Sequence, residues 1–378
     1  MDIDYQIIDT AAGLEKFVNA IENERNVAID LEADSMYHFK EQVCLVQMAT
    51  ENRTIIIDPI QIKDLSPLKP LFLNRNVRKI FHGADYDIRS LYRDFNIEIN
   101  HLFDTETACR FLGFKETGLE TVIGKYFNIN LNKKYQKKDW SKRPLPKAMM
   151  AYAAIDVVYL IPLAEILTKK LARIGRLSWL NEECELLSNV RPILSENEPL
   201  FLKFKGAGRL EPRSLAVLEA LLQFRRSTAE KKDRPLFKII GNGPLLKIAT
   251  EKPVTLKRLK RMKILSSKQI NMWGNEIIEA IDQALSLSQN RLPVYPRKKT
   301  PVLPPGVPKR MKALKIWRDQ RAAELDIDAG LLCNNALISA LAIANPTDKK
   351  KLAKIQDMKQ WQKNELGDDV VRVLRSVS

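Results

Sequence analysis

Short β-branched runs alternate with helical patterns over the first 165 residues. Four apolar runs have strand length: Val27–Leu31, Val43–Ala49, Thr54–Ile57 and Val77–Phe81. A polar break at Asn52-Arg53 separates the second run from the third and predicts a hairpin. Gly83-Ala-Asp85 predicts the start of a helix that continues to about Phe95.

Helical patterns dominate after these strands. Asp104 or Thr105 is placed to cap a helix, and a basic polar loop over Lys133–Pro146 precedes a long helix from Pro146. Strands therefore come first as a meander and then alternate with helices. This order predicts a mixed α/β sheet with helices on its faces.

Residues 209–290 are predicted to be wholly helical, with Leu215, Leu218 and Leu222 at the spacing of one helix face. Residues 291–308 are rich in Pro and basic residues and predict an extended linker. We therefore expect an α/β domain over 1–200, a helical-bundle domain over 201–290, the linker, and a second helical-bundle domain over 309–378.

The second helical domain repeats features of the first. Trp317-Arg318 with Ala322 parallels Phe224-Arg225 with Ala229, and Asn334-Asn335 falls where Gly241-Asn242 fell. Because each unit is longer than a solenoid repeat, the pattern predicts a duplicated domain.

The balance of charged residues also changes between the predicted α/β domain and the helical domains. The formal net charge is +16, but residues 1–200 hold 26 Lys+Arg against 29 Asp+Glu, whereas residues 201–378 hold 36 against 17. A weakly acidic half followed by a strongly basic half favours a chemical module joined to a module that binds polyanions. Solvated lysine faces are the alternative.

Four cysteines lie far apart without Cys-x-x-Cys spacing, which argues against a zinc site or a disulfide framework. The N-terminus lacks the basic and apolar regions of a signal peptide. No run is expected to approach the roughly 20 apolar residues of a membrane span. We expect a cytoplasmic protein.

Acidic residues in three segments carry the candidate chemistry. Asp30 and Glu32 are two apart on a predicted strand and so share a face, and Tyr152 and Asp156 share a helix face. Asp87 begins a helix just beyond a strand end. If these three elements meet, their four carboxylates would repel one another, and Mg²⁺ or Mn²⁺ would neutralise them. Alone, Asp87 is equally well explained as a helix cap, and Tyr152 is better explained as a core residue.

The three segments resemble the motifs of the DEDD exonuclease superfamily, in its branch with tyrosine in the third motif. Asp139-Trp-Ser-Lys-Arg-Pro-Leu145 and Cys44-Leu-Val-Gln-Met48 resemble ribonuclease D signatures, and the helical repeats resemble the helicase-and-ribonuclease-D C-terminal (HRDC) domain. The resemblance implies an RNase H-like fold and 3′→5′ exoribonuclease activity on structured RNA tails such as tRNA precursors.

Carried over by motif, Asp30, Glu32, Asp87 and Asp156 would hold two divalent ions, Mg²⁺ or Mn²⁺, and Tyr152 would position the attacking water. One departure is Leu31, where ribonuclease D commonly has Thr. Its side chain is expected to point away from the site, so we expect little effect.

Four further residues are candidate substrate contacts. His82 lies at a strand end and either touches substrate or packs behind the site. Trp140 either stacks on a terminal nucleotide or pins its loop, and Arg143 would pair with phosphate. Lys138 belongs to the Lys133–Lys138 cluster, which is either a phosphate track or a solvated loop.

The helical repeats carry Arg225-Arg226, Lys231-Lys232, Lys257-Arg258, Lys260-Arg261 and Lys349-Lys350-Lys351, which suit sequence-independent phosphate contact. Binding of another protein is the alternative. For the whole chain, a DNA exonuclease and a non-catalytic nucleic-acid scaffold remain alternatives to an exoribonuclease. We expect RNA as the partner, no membrane, and a monomer.

Overall fold

The computed structural model describes residues 3–192, 198–296 and 303–377. These residues form two compact units. The first comprises residues 3–33, 43–192 and 303–377, and the second comprises 34–42 and 198–296. Residues 297–302 of the predicted linker lie outside the described part of the chain.

The first unit contains a mixed sheet whose spatial order is β1-β4-β3-β2-β5-β6. Its strands are β1 (Gln6–Ile8), β2 (Asn26–Ala33), β3 (Val43–Ala49), β4 (Thr54–Ile57), β5 (Arg78–Phe81) and β6 (Leu102–Asp104). The β2–β3 and β3–β4 pairs are antiparallel, and the other pairs are parallel. β2 and β3 are therefore central strands, which explains their almost continuous apolar sequence.

Nine helices of residues 3–192 accompany this sheet: α1 (Ala11–Ala20), α2 (Pro59–Ile62), α3 (Lys69–Leu73), α4 (Asp85–Phe95), α5 (Thr105–Phe111), α6 (Leu119–Phe127), α7 (Lys147–Val158), α8 (Leu160–Arg173) and α9 (Leu177–Ser188). The Asp104 side chain caps α5 by accepting a hydrogen bond from the Glu106 backbone N–H, as predicted. Gly83 lies between β5 and α4 with φ of +77°, and a Cβ there would come within 2.8 Å of Glu106 Oε2. Glycine is therefore required at the turn that places α4.

The second unit is helical in its described residues, with α10 (Pro212–Lys231), α11 (Leu236–Ile239), α12 (Asn242–Glu251), α13 (Leu256–Arg261) and α14 (Ser267–Leu285). Residues 34–42, from between β2 and β3, belong to it. Asp233 accepts hydrogen bonds from the Phe39 backbone N–H at 3.1 Å and pairs with His38 Nδ1 at 2.6 Å. The Phe39 ring packs against the apolar core of these helices.

Five further helices complete the first unit: α15 (Val307–Leu325), α16 (Ala329–Leu332), α17 (Asn335–Ala344), α18 (Lys349–Ala353) and α19 (Gln360–Arg375). They join the sheet domain through aromatic side chains. Trp361 stacks on Trp179 of α9 with ring centroids 4.6 Å apart and meets Phe111 edge-on. Glu183 accepts hydrogen bonds from Lys359 Nζ and Trp361 Nε1, which fixes the start of α19 against α9.

Residues 147–173, covering α7 and α8, are long and apolar enough to cross a membrane by length and composition alone. The expectation that no run approaches a membrane span is therefore wrong by that measure. Half of the apolar stretch is buried inside the protein, and α7 packs on β2, β3 and β4. We therefore interpret it as a core helix pair.

The predicted fold class is confirmed, since a mixed sheet with helices precedes an all-helical region. The predicted strands and the helix beginning near Asp85 are present. Two three-residue strands, β1 and β6, had no counterpart in the predictions. Each pairs with a strand distant in sequence, so no local pattern marks it.

Candidate active site

The central strand β2 carries Asp30 and Glu32 on one face. Asp30 lies directly opposite Gln47 of β3, and Glu32 lies opposite Leu45. The helix α7 covers this face, where Met149, Met150, Ala153 and Ala154 form an apolar cluster with Leu45 and Ile56. The two acids therefore lie at the boundary of a core rather than in open solvent.

Asp87 lies in the first turn of α4 and is only 7% exposed. The helix cap position belongs to Ala84, which makes no side-chain capping bond. The alternative that Asp87 serves as the N-cap is therefore wrong. Asp85, two residues earlier, is exposed and pairs with Arg89 at 2.7 Å.

The carboxylates influence one another strongly. Burial raises the pKa of Asp30 to about 7. Burial, and then the charges of Asp30, Asp156 and Asp87, raise the pKa of Glu32 to about 10. Burial and the charge of Asp30 raise the pKa of Asp156 to about 8 and hold that of Asp87 well above its ordinary value. The four predicted acids therefore lie in one electrostatic cluster.

A cavity of about 370 Å³ opens beside this cluster and is lined by Asp30, Glu32, His82, Tyr152 and Asp156, among others. Burial, and then the charge of Asp156, raise the pKa of the Tyr152 phenol. The phenol therefore stays protonated, and it donates its hydrogen bond to the Asp156 carboxylate.

Two aromatic side chains hold the Tyr152 ring. The Trp140 centroid lies 6.1 Å away and the Tyr135 centroid 5.8 Å away, the latter in an edge-on arrangement. Trp140 is completely buried. Its predicted stacking on a nucleotide is therefore wrong in this structure, and the alternative, that it pins its loop, agrees with the packing.

The predicted pairing of Arg143 with phosphate is also contradicted. Its guanidinium donates to both carboxylate oxygens of Asp58, at 2.5 and 2.7 Å, and to the backbone carbonyls of Cys44 and Trp140. A bidentate pair of this kind uses the donors that a phosphate would need. Arg143 anchors the loop that carries Trp140.

His82 lines the cavity from the end of β5. Its Nδ1 lies 2.8 Å from Thr105 Oγ1, and burial lowers its pKa, so the ring is neutral. Lys138 is exposed, whereas Lys133 of the same loop lines the cavity and pairs with Glu120 at 2.7 Å. The structure thus places His82 and one end of the lysine cluster beside the acids, and leaves Lys138 in solvent.

Sequence reasoning missed Glu106, which also lines the cavity. Burial works to raise its pKa, but hydrogen bonds from Arg110 and Thr117 hold the pKa below its ordinary value. Glu106 therefore remains ionised near the other acids. Its position in the first turn of α5, two residues after the Asp104 cap, was the available signal.

The chemistry of this donor set fits hard divalent cations, since every acid of the cluster offers oxygen ligands. In the described part of the chain, no group of three or more His, Cys, Asp or Glu side chains is arranged so that it could hold a metal ion as placed. Binding would therefore require the carboxylates to turn toward a shared ion.

The basic residues of the helical repeats differ in exposure. Arg225 is 8% exposed and donates hydrogen bonds to Ile240 O and Asn242 Oδ1, so its expected contact with RNA phosphates is wrong. Arg226, its neighbour, is exposed, as are Lys231 and Lys232. These exposed side chains are accessible to a polyanion.

Both halves of the chain match known domain families. Residues 5–172 match a 3′-5′ exonuclease domain, and residues 214–281 and 308–374 each match an HRDC domain. The ribonuclease D of Desulfotalea psychrophila is 32% identical over 290 residues, covering 76% of this chain and 77% of that protein. The ribonuclease D of Acidiphilium cryptum is 29% identical over 97% of this chain and 92% of its own length.

Solved structures show the same fold. Escherichia coli RNase D, described as an exoribonuclease involved in structured RNA processing, has the same fold, with a TM-score of 0.74, 24% identity and 99% coverage of both chains. The catalytic core of RRP6 from Trypanosoma brucei has a TM-score of 0.65 and 28% identity, covering 75% of this chain and 80% of its own.

Proposed function

The chain belongs to the ribonuclease D family of 3′–5′ exoribonucleases, and on that basis we propose that it removes mononucleotides from RNA 3′ ends by two-metal-ion hydrolysis at the Asp30 cluster. The observation that carries the proposal is the mutual electrostatic influence of Asp30, Glu32, Asp87 and Asp156 beside one cavity.

In this proposal Asp30, Glu32, Asp87 and Asp156 are the metal ligands. Bound divalent ions would supply charge stabilisation for the attacking and leaving oxygens. Tyr152, held by Trp140 and Tyr135, would turn its phenol O–H from Asp156 to orient the attacking water. The neutral His82 ring, which lines the cavity, would contact the terminal nucleotide. The surrounding apolar cluster excludes bulk water from one side of the acids.

The substrate class follows from charge and from the relatives. The exposed basic side chains of the helical repeats suit phosphates of any sequence. We infer a structured RNA with a single-stranded 3′ tail, such as a tRNA precursor, since the related Escherichia coli enzyme is described as processing structured RNA. We further propose a monomer that acts in the cytoplasm, with the domain division expected from the sequence.

The test is a time course on a 5′-end-labelled RNA that has a folded stem and a 3′ tail, with Mn²⁺, Mg²⁺ or EDTA, beside a DNA of matched sequence. We expect a metal-dependent ladder on RNA that stops at the stem. Asp30→Asn and Asp156→Asn abolish the ladder and leave RNA affinity at fixed salt unchanged. Asp85→Asn is the matched control, because Asp85 is exposed and paired with Arg89.

Three outcomes would contradict parts of the proposal. A ladder on DNA alone would favour a DNA exonuclease with the same motifs. No ladder on either substrate, with RNA binding intact, would favour the non-catalytic scaffold. Loss of RNA binding in a folded Asp30→Asn variant would show that the basic repeats are not the main RNA contact.

A further inference from the structure

Gln47 is a polar residue buried in the centre of the sheet. It is 0% exposed, and neither its amide oxygen nor its amide nitrogen has a hydrogen-bond partner. An unpartnered amide in a protein core is costly, because it loses its hydrogen bonds to water without replacement. The position therefore calls for an explanation other than packing.

The strand register shows what Gln47 faces. On β3 it lies directly opposite Asp30 of β2 on one side and Ile56 of β4 on the other. Residues opposite one another in an antiparallel pair share a face, and their Cβ atoms lie about 4.5–5.5 Å apart. The Gln47 side chain is therefore within reach of the Asp30 carboxylate, on the face that α7 covers.

Most of the other surroundings of this face are apolar, although the same cluster includes Trp140 and Tyr152. Leu45, Ile56, Ala153 and Ala154 belong to the cluster between the sheet and α7. Such neighbours offer no side-chain donor or acceptor. Among the residues placed directly across the strands from Gln47, Asp30 is the one with a side chain able to accept from its amide.

We propose that Gln47 is a positioning residue whose Nε2 donates a hydrogen bond to the Asp30 carboxylate once that carboxylate turns to bind a divalent cation. The inference rests on the proposed function of the Asp30 cluster. One carboxylate oxygen would face the cation and the other would accept from Gln47. An amide supplies this donor without changing the charge of the site, whereas a Lys or Arg would cancel the charge that attracts the cation.

Residues that hydrogen-bond to a metal ligand typically change metal affinity by about 10- to 100-fold when they are replaced. The test is therefore Mn²⁺ binding to the full-length protein without RNA, measured by titration calorimetry, together with the melting temperature in EDTA. Gln47→Met keeps the length of the side chain and removes the amide. We expect its Mn²⁺ affinity to fall by about tenfold. Its melting temperature in EDTA should equal or exceed that of the wild type.

Gln362 provides a matched control with the opposite expectation. It is also a buried glutamine, 3% exposed, but its Nε2 donates to the Leu332 carbonyl at 2.9 Å. Gln362→Met should lower the melting temperature and leave Mn²⁺ affinity unchanged. A structural role for Gln47 would instead give this same result at position 47.

The outcomes separate the inference from its premise. If the wild type binds no Mn²⁺, or Asp30→Asn binds it equally well, the proposed metal site is wrong. If the wild type binds Mn²⁺ and Gln47→Met binds it with the same affinity, only the role of Gln47 is wrong. Should Gln47→Met not fold, Gln47→Leu repeats the test. In turnover, a loss in kcat with unchanged KM is expected, since positioning of Asp30 does not alter RNA binding.

Discussion

Arg225 donates a hydrogen bond to Asn242 Oδ1 at 2.7 Å, and Arg318 donates the equivalent bond to Asn335 Oδ1 at 3.1 Å. The two arginines occupy matching places in α10 and α15, and the two asparagines open α12 and α17. The parallel between Phe224-Arg225 and Trp317-Arg318 in the sequence is therefore reproduced as a repeated contact.

A second pair of residues repeats in the same way. Gln269 Nε2 donates to Ile239 O, and Gln362 Nε2 donates to Leu332 O, both at 2.9 Å. In both repeated contacts, each residue of the second helical bundle follows its counterpart in the first bundle by the same number of positions along the chain. The repeated polar contacts join helices within each bundle, which indicates that the duplication preserved the bundle's internal hydrogen bonds.

Arg225 and Arg226 should separate folding from RNA binding. Arg225→Met leaves the Ile240 carbonyl and Asn242 without their charged donor, so we expect unfolding free energy to fall by about 1.5–3 kcal/mol. Arg226→Met, at an exposed position, should change stability by less than about 0.5 kcal/mol and weaken RNA binding. Urea unfolding measures the stability of each variant, and a binding assay at fixed salt measures its affinity for RNA. Equal stability of the two variants would contradict the assignment.

The contact between Trp361 and Trp179 predicts a strong dependence of the first unit on α19. Trp361 is 3% exposed and also meets Phe111 edge-on, so Trp361→Ala should cost about 3–5 kcal/mol. Glu183→Gln should cost less, since it weakens the bond from Lys359 but keeps an acceptor. Glu185→Gln, at an exposed position of the same helix, is the control for stability measured by urea unfolding.

A truncation ending at residue 200 follows from the same contact. Removing residues 201–378 removes Trp361 and leaves the Trp179 and Phe111 rings without their partner. We expect the shortened protein to hold long RNA more weakly and to unfold at a lower temperature than the full chain. Affinity equal to that of the full chain would contradict an RNA-binding role for the basic repeats.

The sequence predicted those parts of the site that depend on local periodicity. Asp30 and Glu32 share a face because side chains alternate along a strand, and Tyr152 and Asp156 share a helix face because they are four residues apart. The spatial meeting of these elements required the family resemblance, because a sequence pattern carries no distance between β2 and α7.

The roles of Trp140 and Arg143 were beyond local reasoning for the same cause. An aromatic and a basic residue near a nuclease motif are consistent with nucleotide contact. Whether Arg143 is available for phosphate depends on its pairing with Asp58, which is far away in sequence. Gln47 shows the converse. A single polar residue in the apolar run Val43–Ala49 gave a local signal, and only the register with β2 shows that it faces Asp30.

We therefore predict that Arg143 stabilises the folded protein and does not contribute to RNA binding. Both partners of its bond with Asp58 are largely buried, so Arg143→Ala leaves an unpaired carboxylate and should cost about 3–5 kcal/mol. Its RNA affinity, measured under conditions where the protein is folded, should equal that of the wild type. Lys138→Ala, at an exposed position of the same loop, should leave stability unchanged. A stable Arg143→Ala protein with weakened RNA binding would restore the phosphate-contact interpretation.

The raised pKa values of the acid cluster predict how stability depends on pH without metal. Asp30 and Asp156 have folded-state pKa values of about 7 and about 8, whereas carboxyl groups in unfolded chains titrate near about 4. The folded protein therefore binds more protons than the unfolded chain between these values. Stability must then fall as pH rises through this interval.

The melting temperature in EDTA should therefore decrease between about pH 5 and 8, and Asp30→Asn should make the decrease shallower. Mn²⁺ should raise the melting temperature most at the upper end, because ionised carboxylates are the metal-binding form. Asp85→Asn is the control. Arg89 lowers the pKa of Asp85, so that group contributes stability that is lost only as pH falls below the ordinary carboxyl range. A metal-free melting temperature that rises from pH 5 to 8 would show that the four acids are not held as a repelling, buried cluster.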